Sequence, residues 1–177
     1  MSEGERTAYR FQWKDLGDIQ KGRPNLGNQT SVAVYRLMQY TMRDVLAAKY
    51  SAEEAKIVLI LAGKLAGTEF CKNMLDTNLE FGKFIASLQE KLKTLGVGIL
   101  RIEKADIDTM EFVLTVSEDL DCSGLPMKGE TVCEYDEGFI EGILETYTNK
   151  QFVVKEIDCW ATGDRTCRFS ARLKESQ

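Results

Sequence analysis

The stretch "EIDCWATGDRTCRFSARL", residues 156–173, holds the residue types and spacing in this chain that most resemble a chemical site. Cys159 and Cys167 are joined by a polar loop, and Thr162-Gly163-Asp164 within it is a turn signal that folds the chain back and lets the two sulfurs meet. Glu156 precedes them, and Cys133 stands where a helix is predicted to begin, a position whose backbone dipoles favour thiolate over thiol. Three thiolates and one carboxylate (Cys133, Glu156, Cys159 and Cys167) make a tetrahedral set for zinc. With no open position, such an ion would hold structure rather than activate water. Lys155, Arg165 and Arg168 flank the set in sequence and are placed to offset its formal charge of about −2. The same thiols also fit a second reading, as buried small apolar residues or a hairpin pair that oxidises, because Glu-x2-Cys-x7-Cys is not a common zinc-finger spacing. Cys71 and Cys122 lack matching partners and are assigned to core and loop.

Composition narrows the chemistry further. The chain has 177 residues, five cysteines and no histidine. An odd cysteine count without an apolar leader argues for reduced thiols over a disulfide framework. The missing histidine removes the commonest general base and neutral metal ligand, which excludes a histidine-based triad. A formal charge of −5 gives no broad attraction to a phosphate backbone, so direct nucleic-acid binding is not expected. No run of about 18 apolar residues is present, so no membrane span is expected and the compartment is read as the cytoplasm.

Two nucleotide-like motifs fail on inspection. "GLPMKGET", residues 124–131, spaces its glycines like a phosphate-binding loop, but Glu130 stands where lysine is required and would repel phosphate. "LGVGIL", residues 95–100, leaves a helix and enters a strand, the reverse of a dinucleotide fingerprint. With no nicotinamide or flavin signature, the chain reads as a binding module before an enzyme.

The elements that must position these residues follow from periodicity. Residues 1–30 form an N-terminal arm, with Phe11 and Trp13 alternating as on a short strand. A helix from Ser31 to about Lys49 places Val34, Leu37, Met38, Val45 and Leu46 on one face. Ser51 to Glu54 reads as a capping box opening a second helix, whose apolar run over 57–62 predicts cover on several sides. A second box, Thr77 to Glu80, opens the clearest amphipathic helix, with Phe81, Phe84, Ile85, Leu88, Leu92 and Leu95 in phase and Gly96 closing it. Strands are predicted over 97–105 and 110–118, then a glycine-containing loop, a helix over 134–147, and strands over 151–158 and 167–173. Residues 31–177 thus read as one α+β domain, with helices packed on a four-stranded antiparallel sheet.

"YDEGFIEGIL", residues 135–144, followed by "VVKEIDCWATGDRTCRFSARL", resembles the 4-vinyl reductase domain, with the specific part over residues 130–173. That domain occurs in archaeal single-domain proteins, in a bacteriochlorophyll-biosynthesis protein, and as the sensor domain of aromatic-responsive transcription activators. The resemblance implies a homodimer, a fold similar to subunits of the TRAPP trafficking complex, and a hydrophobic ligand cavity beside a structural zinc held by Cys133, Glu156, Cys159 and Cys167. The sensors use a pocket histidine that this chain lacks. A gap-free count puts the corresponding positions near Phe84 and Phe112, which implies a more apolar pocket lined by Phe81, Phe84 and Phe112. The expected partner is therefore a small hydrophobic molecule. Carriage of a tetrapyrrole, association with vinyl reduction, and a ligand-free interaction subunit are the alternatives.

Overall fold

Ser31 accepts the backbone N–H of Ala33 and opens α2 (Val32–Lys49), and Ser51 accepts that of Glu54 and opens α3 (Ala52–Met74), so both predicted starts hold. The computed structural model describes residues 9–175. Before α2, Trp13–Leu16 is a 3-10 turn and α1 (Ile19–Gly22) a single helical turn, so the strand expected around Phe11 and Trp13 is not formed in the described part of the arm. The third long helix, α4 (Phe81–Thr94), starts later than its sequence signal. Glu80 itself caps it by accepting from Lys83, because Asp76 captures the backbone and side chain of Asn78 in a turn just before. Gly96, at φ +70°, then reverses the chain into β1.

The sheet consists of β1 (Ile99–Asp106), β2 (Glu111–Ser117), β3 (Phe152–Asp158) and β4 (Cys167–Leu173), in the order β1-β2-β4-β3 with every pair antiparallel. Between β2 and β3 lies α5 (Glu134–Thr148). One sheet face is apolar by strict alternation: Phe112, Leu114 and Val116 on β2 and Cys167, Phe169 and Ala171 on β4 are buried. On β3 the same alternation buries Phe152, Val154 and then Glu156, a carboxylate where the pattern calls for an apolar side chain. Phe84, Ile85, Leu88 and Leu92 of α4 and Ile143 and Leu144 of α5 cover this face.

The tightest contact in the molecule is between α3 and α5. A Cβ added at Gly63 would overlap the carbonyl of Tyr135, and one at Gly67 that of Phe139. From the other side, Gly138 abuts the carbonyl of Ile60 and Gly142 that of Lys64. The Gly138-x3-Gly142 spacing therefore brings α5 against another helix rather than against the sheet. Lys64 bridges Glu141 and Glu145 at 2.6 and 2.8 Å along the same seam.

The apolar run of α3 is not covered on several sides. Leu59 is buried, but Ile57, Val58 and Leu61 face outward, because α5 occupies one side of the helix and the sheet lies beyond it. On α2 the expected apolar face points away from the fold: Val34 is 58% exposed, Leu37 67% and Val45 61%. Its inward face is polar, with Gln39 its one buried residue.

Candidate functional site

Four cysteines converge at one end of the sheet: Cys122, Cys133, Cys159 and Cys167 are buried, and their sulfurs lie within 4.8 Å of one another. Each reaches the cluster by a different local device. Cys167 is the first inward residue of β4, opposite Val116 of β2. Cys133 is the N-cap residue of α5. Cys159 follows the register irregularity between Glu156 and Asp158 and begins a 3-10 turn, Trp160–Thr162, in which Thr162 Oγ1 accepts the Cys159 N–H and Gly163 takes positive φ. Cys122 follows Asp119, whose Oδ1 accepts the N–H groups of Asp121 and Cys122 and folds that loop back on itself.

Sequence spacing missed Cys122, and the available signal was the Asp119 turn, which returns the residue after it to the domain interior. The sequence set and the structural set share Cys133, Cys159 and Cys167. Glu156 lies beside them: its Oε2 accepts the Cys133 N–H at 3.1 Å, while its Oε1 is buried without a donor. Burial first, and then the charge of Cys159, push the Glu156 carboxyl up to about 8.

The donor set suits a soft, tetrahedral ion. Zinc–sulfur bonds of about 2.3 Å place thiolate sulfurs roughly 3.8 Å apart in a regular tetrahedron. Cys133 Sγ stands 3.8 Å from Cys159 Sγ and 3.9 Å from Cys167 Sγ, while Cys122 and Cys167 are closer, at 3.0 Å. Hydrogen bonds from Cys122, Cys133 and Cys167 lower the Cys159 pKa, and the clustered thiols raise those of Cys133 and Cys167. The flanking cations do not serve the cluster as their sequence positions predict. Lys155 pairs with Glu137, Arg168 with Glu103 and Asp158, and Arg165 lies over the Trp160 ring. Cys71 is buried in the core, apart from the four.

The loop that carries Cys122 is held by α2. Tyr35 and Gln39 donate to the two oxygens of Asp121 at 2.8 and 2.5 Å, and Tyr40 donates to its carbonyl at 3.0 Å. Arg36 donates to the carbonyls of Asp119, Leu120 and Ser123, and Arg43 to that of Val132 and to Glu134. The buried polar face of α2 is thus a clamp on residues 119–123, with the side chain of Asp121 satisfied on both oxygens.

Beside the cluster lies an apolar cavity of about 40 Å³. Phe84, Ile85, Leu88 and Leu92 of α4, Leu100 of β1, Leu114 and Val116 of β2, and Phe139, Ile140, Ile143 and Leu144 of α5 line it, with Val97 and Gly98 just before β1. Of the three phenylalanines expected to line a pocket, Phe84 does. Phe81 and Phe112 stack on each other, at 5.4 Å between ring centres, in a cluster with Tyr147 and Phe152 next to the cavity. Two carboxyl groups also enter the lining, Asp119 and Asp136, and these were not anticipated from sequence.

The elements contributing Cys122, Cys133, Cys159, Cys167, Asp119 and Asp136 all fall within residues 112–173, and that segment matches the 4-vinyl reductase domain family. The chain carries a 4-vinyl reductase segment. Two uncharacterized proteins of Methanocaldococcus jannaschii are each 26% identical to the chain, one over 86% of this chain and 83% of its own length, the other over 92% and 88%. A third from the same organism is 30% identical over 66% of this chain and 65% of its own. Among solved structures, a vinyl-4-reductase family protein of M. jannaschii is similar at TM-score 0.62, with 17% identity, over 95% of this chain and all of that one. The phenol-responsive sensory domain of the transcription activator PoxR, solved with phenol, is similar at TM-score 0.62, with 16% identity, over 81% and 75%. Trafficking protein particle complex subunit 3 of Naegleria fowleri, covalently bound to palmitic acid, is similar at TM-score 0.64, with 16% identity, over 81% and 95%. At these identities the structures establish a common fold. The 4-vinyl reductase segment therefore sits in the α+β architecture read from the sequence, helices on a four-stranded antiparallel sheet. No helix among the described residues is long and apolar enough to cross a membrane.

Proposed function

We propose that the protein is a small-molecule binding or sensing module whose 4-vinyl reductase segment is tied together by a structural zinc ion. The observation that carries this reading is adjacency. An apolar cavity and a four-cysteine cluster meet at Cys133, whose sulfur lies within 4.8 Å of carboxylate oxygens of Asp119 and Asp136, two residues of the cavity lining. A neighbour of the same fold is a phenol-responsive sensory domain, which supports a small ligand in this one.

The zinc ligands in this reading are Cys133, Cys159 and Cys167, with the fourth supplied by Glu156 or Cys122. The unpartnered Oε1 supports Glu156, since a buried carboxylate oxygen without a donor is costly and a cation would satisfy it. Proximity of the sulfurs supports Cys122. Metal content of Cys122→Ser and Glu156→Gln, measured after purification under reducing conditions, decides between them: the variant that loses zinc names the ligand. Cys159→Ser should lose the metal in either case and melt at least about 10 °C lower, since structural zinc binding is coupled to folding. A metal-free Cys159→Ser protein that melts like the parent would remove the structural role.

The cavity's size bears on the ligand. At about 40 Å³ it falls well short of the roughly 150 Å³ of an engineered apolar cavity that binds benzene. This weighs against a tetrapyrrole and towards a single small ring, admitted as the half-buried Val97, Phe139 and Ile140 give way. Phe84 is the wall residue in this reading, with Phe81 and Phe112 supporting it from behind.

The outward apolar residues of α2 and α3 support a homodimer through that face, and the same face supports the second reading, an interaction subunit with no ligand. Reduced thiols in the cluster fit the cytoplasm. Native mass spectrometry reads subunit count, metal and retained organic mass together. A zinc-bound dimer with an added organic mass is the expected result, and a metal-free monomer without adduct would overturn the proposal.

A further inference from the structure

The cavity is apolar everywhere except at one end. There Asp119 and Asp136 reach its lining, next to Cys133. The two carboxyl groups are not equivalent. Asp119 is buried and its Oδ1 is committed to the turn at Asp121 and Cys122. Asp136 stands on the first turn of α5, and its Oδ2 is sealed from solvent with no hydrogen-bond donor among the described residues. The nearby cationic side chains are engaged elsewhere: Arg43 with Glu134 and the Val132 carbonyl, and Arg36 with backbone carbonyls. A buried acceptor left without a donor loses its hydration for nothing in return. Opening into an otherwise apolar cavity, it is completed by whatever fills that cavity.

We infer that the ligand of this cavity is a compact apolar molecule with one hydrogen-bond-donating head, a hydroxyl or amine, which Asp136 Oδ2 accepts while α4 and the sheet enclose the apolar body. A carboxylate head is excluded from this end, because it would face two carboxyl groups with no free cation beside it. This assignment rests on the binding-module reading, and it gives that module a polarity: apolar body towards Phe84 and Leu88, donor head towards the cysteine cluster.

The test is calorimetric titration of the full chain with four matched single-ring compounds: toluene, benzyl alcohol, benzylamine and benzoate. The expected order has benzyl alcohol and benzylamine at least about tenfold tighter than toluene, with benzoate not bound, as one hydrogen bond to a buried acceptor confers. Asp136→Leu should bring toluene level with benzyl alcohol. Asp136→Asn keeps an acceptor oxygen and should keep the alcohol's advantage over toluene while losing the amine's. Equal binding of toluene and benzyl alcohol by the unaltered protein overturns the head-group assignment and leaves the cavity standing. No binding of any of the four overturns the cavity reading with it. The unaltered chain alone separates these outcomes, so the inference does not depend on Asp136→Leu folding.

Discussion

Helices α2 and α5 both lie against α3, and they are held by opposite means. Between α5 and α3 there are no side chains at the closest points: Gly63, Gly67, Gly138 and Gly142 let the two backbones meet, and Lys64 stitches the seam. Helix α2 instead turns its polar residues inward, clamping residues 119–123 through Tyr35, Arg36, Gln39 and Tyr40, and turns its valines, leucines and methionines out. Burial of apolar surface is non-directional and is satisfied by any neighbour, whereas a hydrogen-bonded clamp fixes a helix at one register. Helix α5 is packed as part of the core, and α2 is placed to position a loop and to leave its apolar side for another surface.

The comparison can be broken most severely at the glycines. Gly142→Val would drive a branched side chain into the Lys64 carbonyl, and a loss of more than about 4 kcal/mol, read by urea denaturation, is expected. A variant that folds with near-parent stability would show that the helix seam can open. Removing the ring that α4 contributes beneath α5, Phe84→Ala, should cost about 3–5 kcal/mol by the same measurement, and a much smaller loss would mean that the cavity simply enlarges without strain on its walls. Tyr35→Phe deletes one bond of the clamp on Asp121 and should cost about 1–2 kcal/mol, with greater hydrogen exchange at the amides of Asp121 and Cys122 than at those of α5. Protection unchanged at those two amides would mean that α2 does not hold the loop. Leu37→Ser, on the outward face, should change unfolding free energy at dilute concentration by less than about 0.5 kcal/mol and shift sedimentation towards a smaller species. A large stability loss in the dilute monomer would place Leu37 in a core and contradict the inverted helix.

These differences mark what the sequence could and could not convey. Alternating and helical periods located every strand and long helix to within a few residues, because those periods record one-sided burial. They predicted the correct inward face for α4, where Phe84, Ile85, Leu88 and Leu92 are buried. For α2 the same rule chose the wrong face, since an apolar stripe says that a surface is covered without saying by which partner. The capping signal at Thr77 lost to a competing Asx turn at Asp76. In the site, Cys133, Cys159 and Cys167 were legible from turn chemistry and helix-start position. Cys122 was not, because it arrives through a loop whose geometry depends on a clamp from a helix more than eighty residues earlier. The cavity carboxyls were equally hidden: Asp119 and Asp136 sit in ordinary acidic stretches, and only the folded sheet brings both to one end of an apolar space.

The glycine seam also has a mechanical side. With carbonyls of α3 against the α-carbons of α5 and no side chains between them to change rotamer, the two helices have no cushion along which to slide. They behave as a single bar, with Phe139 and Ile140 on its cavity edge and Ile57, Val58 and Leu61 on its outer edge. A displacement of α5 by a molecule entering the cavity is therefore delivered undamped to the opposite surface of the protein, as the tilt of a lever rather than the relaxation of a core.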